Sequence, residues 1–203
     1  MAAVSDAFYE EALRLQSQYN GQIALPIAFE SEWIRPSSLD LIRTLQSKYD
    51  FDMFVGSLHH VHTIPIDFSR ALYEDARKVA GGTDERLFED YFDAQLAMLQ
   101  ALKPPVVGHF DLIRLLSDDP DGSFQHMPGV WSRAVRNLEF VASYGGLLEL
   151  NSAALRKGMK EPYPKAEICK VSDSSCTFAS AWMVVADAIT GVLATRRQLC
   201  VVR

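Results

Sequence analysis

Three of the chain's five histidines fall within one run, His59-His60-Val61-His62, and imidazoles at that density suit zinc, iron or manganese. In an extended segment His60 and His62 would share one side and His59 the other. A carboxylate such as Glu30 often completes or bridges a site of this kind. A polar loop whose histidines cap backbone groups is the other reading, because the spacing closes no ligand motif. Gly108-His109-Phe110-Asp111 supplies a second candidate. Asp111 could orient the His109 ring, since a metal-bound histidine usually donates its other N–H to an oxygen, or it could cap the helix that follows. Arg156 stands in Arg156-Lys157-Gly158, where a guanidinium beside a flexible glycine can grip a phosphate bidentately or form a solvated charge pair. Glu32 and Asp67 read either as supports of the site or as surface acids. No cysteine lies near these residues, and no Walker loop is present.

These residues need elements to bring them together. Ser5 to Tyr19 places Phe8, Ala12, Leu13 and Leu15 at helical spacing, with Asn20-Gly21 as a stop. Gln22 to Phe29 is a short apolar run that reads as a buried strand ending on Glu30 and Glu32, although Pro26 lies within it. A helix is expected from Pro36-Ser37-Ser38 through Lys48, capped by Ser37 or Ser38. Phe51 to Leu58 reads as a strand running into His59 and His60. Thr83 to Leu102 predicts an amphipathic helix capped by Thr83, ended by Pro104-Pro105. Val106-Val107-Gly108 leads to His109, Val130 to Ser143 predicts another helix, and Leu147 to Leu150 a strand ending on Asn151. Ser117 to Met127, with Asp-Asp-Pro-Asp-Gly inside it, reads as a surface excursion.

Helix and strand alternate, which favours an α/β fold with a parallel sheet or barrel. Such folds carry their chemistry at the carboxyl ends of the strands. Glu30, His59, His109 and Asn151 each end a predicted strand, so they are expected on one rim.

Composition narrows the partners. The chain has 203 residues, 48% of them hydrophobic, enough for one ordinary core. A formal net charge of −6 without a basic stripe excludes nucleic acid as the main partner but leaves a small phosphorylated substrate open. Cys169, Cys176 and Cys200 form an odd set with no CxxC spacing, which points to a reducing, cytoplasmic compartment rather than to disulfides. No secretory leader is visible at Met1-Ala-Ala-Val-Ser-Asp. The apolar stretch Phe178 to Ala194 is short for a membrane span and contains Asp187, so a buried helix is expected there and no membrane.

Longer blocks carry a resemblance. Phe54-Val55-Gly56-Ser57-Leu58-His59-His60-Val61 with Ile64-Pro65-Ile66-Asp67-Phe68 closely resembles a central block of the histidinol-phosphate phosphatases of the polymerase-and-histidinol-phosphatase (PHP) superfamily. Ala101-Leu102-Lys103-Pro104-Pro105-Val106-Val107-Gly108-His109-Phe110-Asp111-Leu112 is similar to a second block. Tyr144-Gly145-Gly146-Leu147-Leu148-Glu149-Leu150-Asn151, Ala154-Leu155-Arg156-Lys157-Gly158 and Glu161-Pro162-Tyr163-Pro164 are similar to a third. Phe29-Glu30-Ser31-Glu32-Trp33-Ile34-Arg35-Pro36 looks like the fungal form.

The resemblance implies a distorted (β/α)7 TIM-like barrel and hydrolysis of L-histidinol phosphate to L-histidinol and phosphate in histidine biosynthesis. It implies a trinuclear centre of divalent zinc, iron or manganese, with Glu30 as bridging carboxylate and His59 and His109 as single ligands. Arg156 would hold the substrate phosphate, and Asp111 and His60 would support the ligands. Ala28 stands where the family has the glycine of Gly-x-Glu. The family's opening His-x-His strand has no counterpart, because no histidine precedes His59. Its closing Asp-x-His pair has none either, because no histidine follows His126. The expectation is therefore a partial barrel, lacking its first strand or strands, over residues 1–170, with a divergent tail over residues 171–203, as a shortened gene model would give. A catalytically inactive remnant with a weak metal site, or another phosphoesterase of the superfamily, are the alternatives.

Overall fold

The computed structural model describes residues 2–174 and 183–186. Helix α1 (Ala2–Gln18) ends in a turn where Gly21 takes φ +79°. Strand β1 (Ala28–Glu32) follows, then α2 (Ser38–Lys48) and β2 (Met53–Ser57). A small antiparallel hairpin, β3 (His60–Val61) and β4 (Ile64–Pro65), turns through His62 and Thr63, both at positive φ, as a tight two-residue hairpin requires. Helices α3 (Arg70–Val79) and α4 (Asp84–Leu102) start on Ser69 and Thr83, whose hydroxyls accept from Leu72 N–H and Arg86 N–H. Then come β5 (Val106–Val107), 3-10 turns at Leu112–Leu116 and Phe124–His126, α5 (Pro128–Ser143), β6 (Leu147–Asn151), α6 (Ala153–Arg156), α7 (Ala166–Ser174) and β7 (Met183–Ala186).

Five strands form one parallel sheet in the order β1-β2-β5-β6-β7. The order never reverses, so there is no topological switch of the doubly wound kind. It is the order that neighbouring strands have in a barrel wall, as the expected partial barrel requires, and the described strands do not close on themselves. Close packing between wall and helices fixes one residue type: a β-carbon at Gly56 would lie 2.5 Å from the Pro104 ring. The core lies under α3, α4 and α5, where Tyr73, Leu87, Tyr91, Phe92, Met98, Leu99, Ile113 and Leu138 are buried. Among the described residues no helix is long and apolar enough to cross a membrane.

Polar groups within this core are paired so as to fix the loop after β5. Tyr91 Oη and Gln95 Nε2, both from α4, donate to the Phe110 carbonyl at 3.2 and 2.8 Å. Asn137 of α5 donates in turn to Gln95 Oε1 at 3.0 Å. Four residues after Phe110, Arg114 is wholly buried. Its Nε meets Asp111 Oδ2 at 3.1 Å, while its two Nη atoms reach the carbonyls of Pro120, Glu161 and Pro162 at 2.9, 2.9 and 2.6 Å. Asp111 Oδ2 also accepts from Lys165 N–H at 2.9 Å. The segment from Met159 to Lys165 is thereby clamped to the loop that carries His109.

Several sequence expectations are corrected. The strand expected over Gln22 to Phe29 begins only at Ala28 and runs to Glu32. Pro26 offers no N–H to a ladder, Ile23 is exposed, and Ile27 N–H goes to the Asp52 carboxylate at 2.6 Å. Ser37 holds the cap position of α2 without a side-chain bond, while Ser38 Oγ accepts from Ile34 N–H and Arg35 N–H. The supposed excursion from Ser117 to Met127 buries Phe124 against Phe88 and Phe92, and its Asp118 pairs with Arg70 and Arg77. Helix α3 was not anticipated. Within Phe178 to Ala194, Met183–Ala186 is a strand and not part of a helix, because it pairs with β6; the remainder of that stretch, Cys176 and Cys200 lie outside the described residues.

Removing one partner of a buried ion pair leaves the other charge unpaired, at a cost of about 3–5 kcal/mol. Arg114→Met is therefore expected to lower unfolding free energy by about that amount in urea denaturation. A loss under about 1 kcal/mol would mean that the clamp contributes little.

Candidate metal centre

Glu30 and Glu32 are two apart on β1, so their side chains leave the same face of the sheet. The parallel register sets Glu32 opposite Ser57, the last residue of β2, and His59 follows two residues later. The Glu32 carboxylate then takes three donors: His59 N–H at 3.3 Å, His59 Nδ1 at 2.5 Å and His60 Nδ1 at 3.0 Å. With Nδ1 held, His59 presents Nε2, and that atom lies 3.8 Å from Glu30 Oε1. From the next strand, His109 brings its Nε2 to 3.1 Å from the same oxygen. The two imidazole rings are 4.6 Å apart between centroids. One ligand atom from each of Glu30, His59 and His109 falls within 4.8 Å of the others.

The electrostatics favour a cation at this point. The His109 ring draws the Glu30 carboxyl down to about 2, against the effect of burial. Burial raises the Glu32 carboxyl, but its bonds to His59 and then His60 outweigh this and its pKa is lowered. Burial alone would lower His59, yet the bond to Glu32 and the charges of Glu32, Asp67 and Glu30 leave its pKa raised. Three carboxylates, Glu32, Asp67 and Glu30, act on His59, and two imidazole nitrogens converge on one Glu30 oxygen. Among the described residues the buried Nδ1 of His109 has no hydrogen-bond partner, and Nε2 is the ring atom that meets Glu30. These are the donors a divalent ion of the zinc, iron or manganese type accepts.

The expected site residues separate on inspection. Glu30, His59 and His109 come together, and His60 shares the Glu32 carboxylate with His59. Asp67, undecided from sequence, lies near enough for its charge to act on His59. Asp111 does not orient the His109 ring, nor does its side chain cap the 3-10 turn: Arg114 and Lys165 N–H take its Oδ2, and its Oδ1 is buried without a partner. Asn151 ends β6 as expected, but its Oδ1 accepts from Ala153 N–H and its backbone bridges to Tyr163. His62 turns away to Asp90 at 2.7 Å. Arg156 is exposed at the end of α6, and its guanidinium bonds to the Ser152 hydroxyl at 3.1 Å. Glu149, singled out by no motif, accepts from His109 N–H at 2.8 Å.

Known proteins resemble the chain in sequence and in fold. A family model described as the PHP domain matches residues 4–153. The Schizosaccharomyces pombe protein named a probable histidinol-phosphatase is 44% identical over 167 residues, covering 82% of this chain and 55% of that protein. The Saccharomyces cerevisiae histidinol-phosphatase is 35% identical over 142 residues, covering 60% of this chain and 42% of that protein. The chain thus spans about half the length of these curated relatives. In fold it is similar to the crystal structure of a Lactococcus lactis histidinol phosphate phosphatase complexed with zinc, L-histidinol and phosphate. That likeness has a TM-score of 0.63 at 19% identity, over 89% of this chain and 65% of that one.

Replacing a converging imidazole removes a donor, whereas His126, on a 3-10 turn outside the cluster, offers a control. His109→Ala is expected to weaken zinc binding at least about tenfold, the scale on which even supporting residues act. His126→Ala should leave it unchanged. Equal affinities in a chelator competition would show that the cluster holds no ion.

Proposed function

The chain belongs to the PHP domain family, and on that premise we propose that it carries the metal-donor rim of a phosphomonoesterase that hydrolyses L-histidinol phosphate to L-histidinol and phosphate, in the cytoplasm. One observation carries the reading: two imidazole Nε2 atoms, from the loops after β2 and β5, approach a single carboxylate oxygen at 3.8 and 3.1 Å. The complex of the Lactococcus lactis neighbour with zinc, L-histidinol and phosphate supports the substrate class.

Glu30, His59 and His109 would hold a divalent ion, zinc, iron or manganese. When bound, such an ion neutralises phosphate charge and lowers the pKa of water to the neutral range. The protein's own contribution is positional. Glu32 fixes His59 with Nδ1 engaged and Nε2 free toward Glu30, and it holds His60 at the same time. The His109 ring draws the Glu30 pKa down, so its carboxylate stays ionised well into acid and would offer the ion a charged oxygen. Arg156 would grip the substrate phosphate through paired N–H donors, a role for which its exposure and its single side-chain bond to Ser152 leave it available. A trinuclear centre needs donors beyond the three that converge among the described residues. A chain that binds one ion without turnover is accordingly the second reading.

Phosphate release from L-histidinol phosphate, assayed on metal-loaded protein before and after chelation, tests the proposal. Release should be lost with the metal and return on reloading. Arg156→Ala should raise KM for the ester by about tenfold or more, the worth of a charge-assisted bond, with metal content unchanged. Full metal loading with no release above buffer would leave the second reading standing, and faster release from a different phosphate ester would reassign the substrate.

A further inference from the structure

Beyond β5 a side chain takes over the sheet's hydrogen bonding. Val106 and Val107 face Leu147 and Leu148 in the parallel ladder, so the next pair along sets Gly108 opposite Glu149. At that point His109 N–H donates to Glu149 Oε2 at 2.8 Å, a carboxylate in the place of a backbone carbonyl. His109 has φ +23°, in the left-handed region that a β-carbon disfavours. A residue stays there only where its surroundings hold it. Leu112 N–H holds the His109 carbonyl at 2.9 Å, and Glu149 holds the amide.

The neighbouring residues are consistent with that grip. A β-carbon at Gly108 would crowd Ser57 Oγ at 2.5 Å but would meet Glu149 Oε2 only at 3.6 Å, an ordinary contact, so the carboxylate has room to reach the amide. Glu149 lies outside the group of converging donors formed by Glu30, His59 and His109.

We propose that Glu149 is a positioning residue of the metal centre: its carboxylate fixes the His109 backbone in the left-handed conformation that aims Nε2 at Glu30. It acts without touching the ion. The inference rests on the metal-centre reading given above.

The test uses the full chain as wild type, Glu149→Leu and Glu149→Gln, with cobalt(II) as the probe. Cobalt affinity is read by visible absorption under chelator competition, and His109 amide exchange is read by NMR on metal-free protein. Glu149→Leu is expected to weaken cobalt binding about tenfold to hundredfold, as loss of an orienting partner does, and to speed His109 amide exchange. The amide oxygen of Glu149→Gln still accepts, so it should restore most of both. Cobalt binding by Glu149→Leu equal to wild type overturns the proposal. So does a Glu149→Gln variant that loses as much cobalt as Glu149→Leu while its His109 amide stays protected, because Glu149 would then be a ligand. Wild type that binds no cobalt removes the metal-centre reading itself. The exchange data then decide the grip alone, and equal His109 exchange in wild type and Glu149→Leu sinks it.

Discussion

A carboxylate that accepts three donors at once governs the rim. Glu32 holds the backbone and ring of His59 and the ring of His60, and it can do so only because β1 and β2 run parallel in a register that sets it opposite Ser57. With that bond in place, the free nitrogen of His59 turns toward Glu30. Without it, His59 would be a loop histidine with two equivalent tautomers and no fixed direction. The rings hold the Glu30 and Glu32 carboxylates in their ionised form, and ionised oxygens beside imidazole nitrogens are donors that a divalent cation accepts.

Much of this was legible in the sequence, for a definite reason. Apolar runs that end abruptly on Glu30, His59 and His109 mark buried parallel strands and the rim beyond them, and the spacing of these runs is local information. The resemblance to the phosphatases sharpened the same positions into ligands. What the sequence concealed depends on pairs far apart in the chain. Glu149 meets His109 across 40 positions, and Lys165 meets Asp111 across 54. Asp111 looked like a partner for His109 because the two are neighbours in the chain, yet burial beside Arg114 claims it instead. Asn151 ended a strand as expected and was then taken by the turn into α6. Glu32 was an even choice from sequence because an acid two residues from another acid is common on exposed strands.

The errors in the elements share one cause. Hydrophobicity marked Gln22 to Phe29 as a strand, but Pro26 and the pull of Asp52 on Ile27 N–H delay pairing until Ala28. Polarity marked Ser117 to Met127 as a surface loop, although Phe124 and the ion pairs of Asp118 draw it onto α3 and α4. Tertiary partners outweighed local composition in both places.

The Arg114 clamp has a consequence for the order in which the molecule is built. It joins residues 111–114 to residues 159–165, so the loop after β5 cannot be locked until the chain has been made as far as Lys165. During synthesis His109 leaves the ribosome before that point with its loop still unlocked, whereas Glu32 and His59 are joined through residues made much earlier. The rim is therefore completed in two stages, the second timed by a guanidinium that lies outside the group of converging donors.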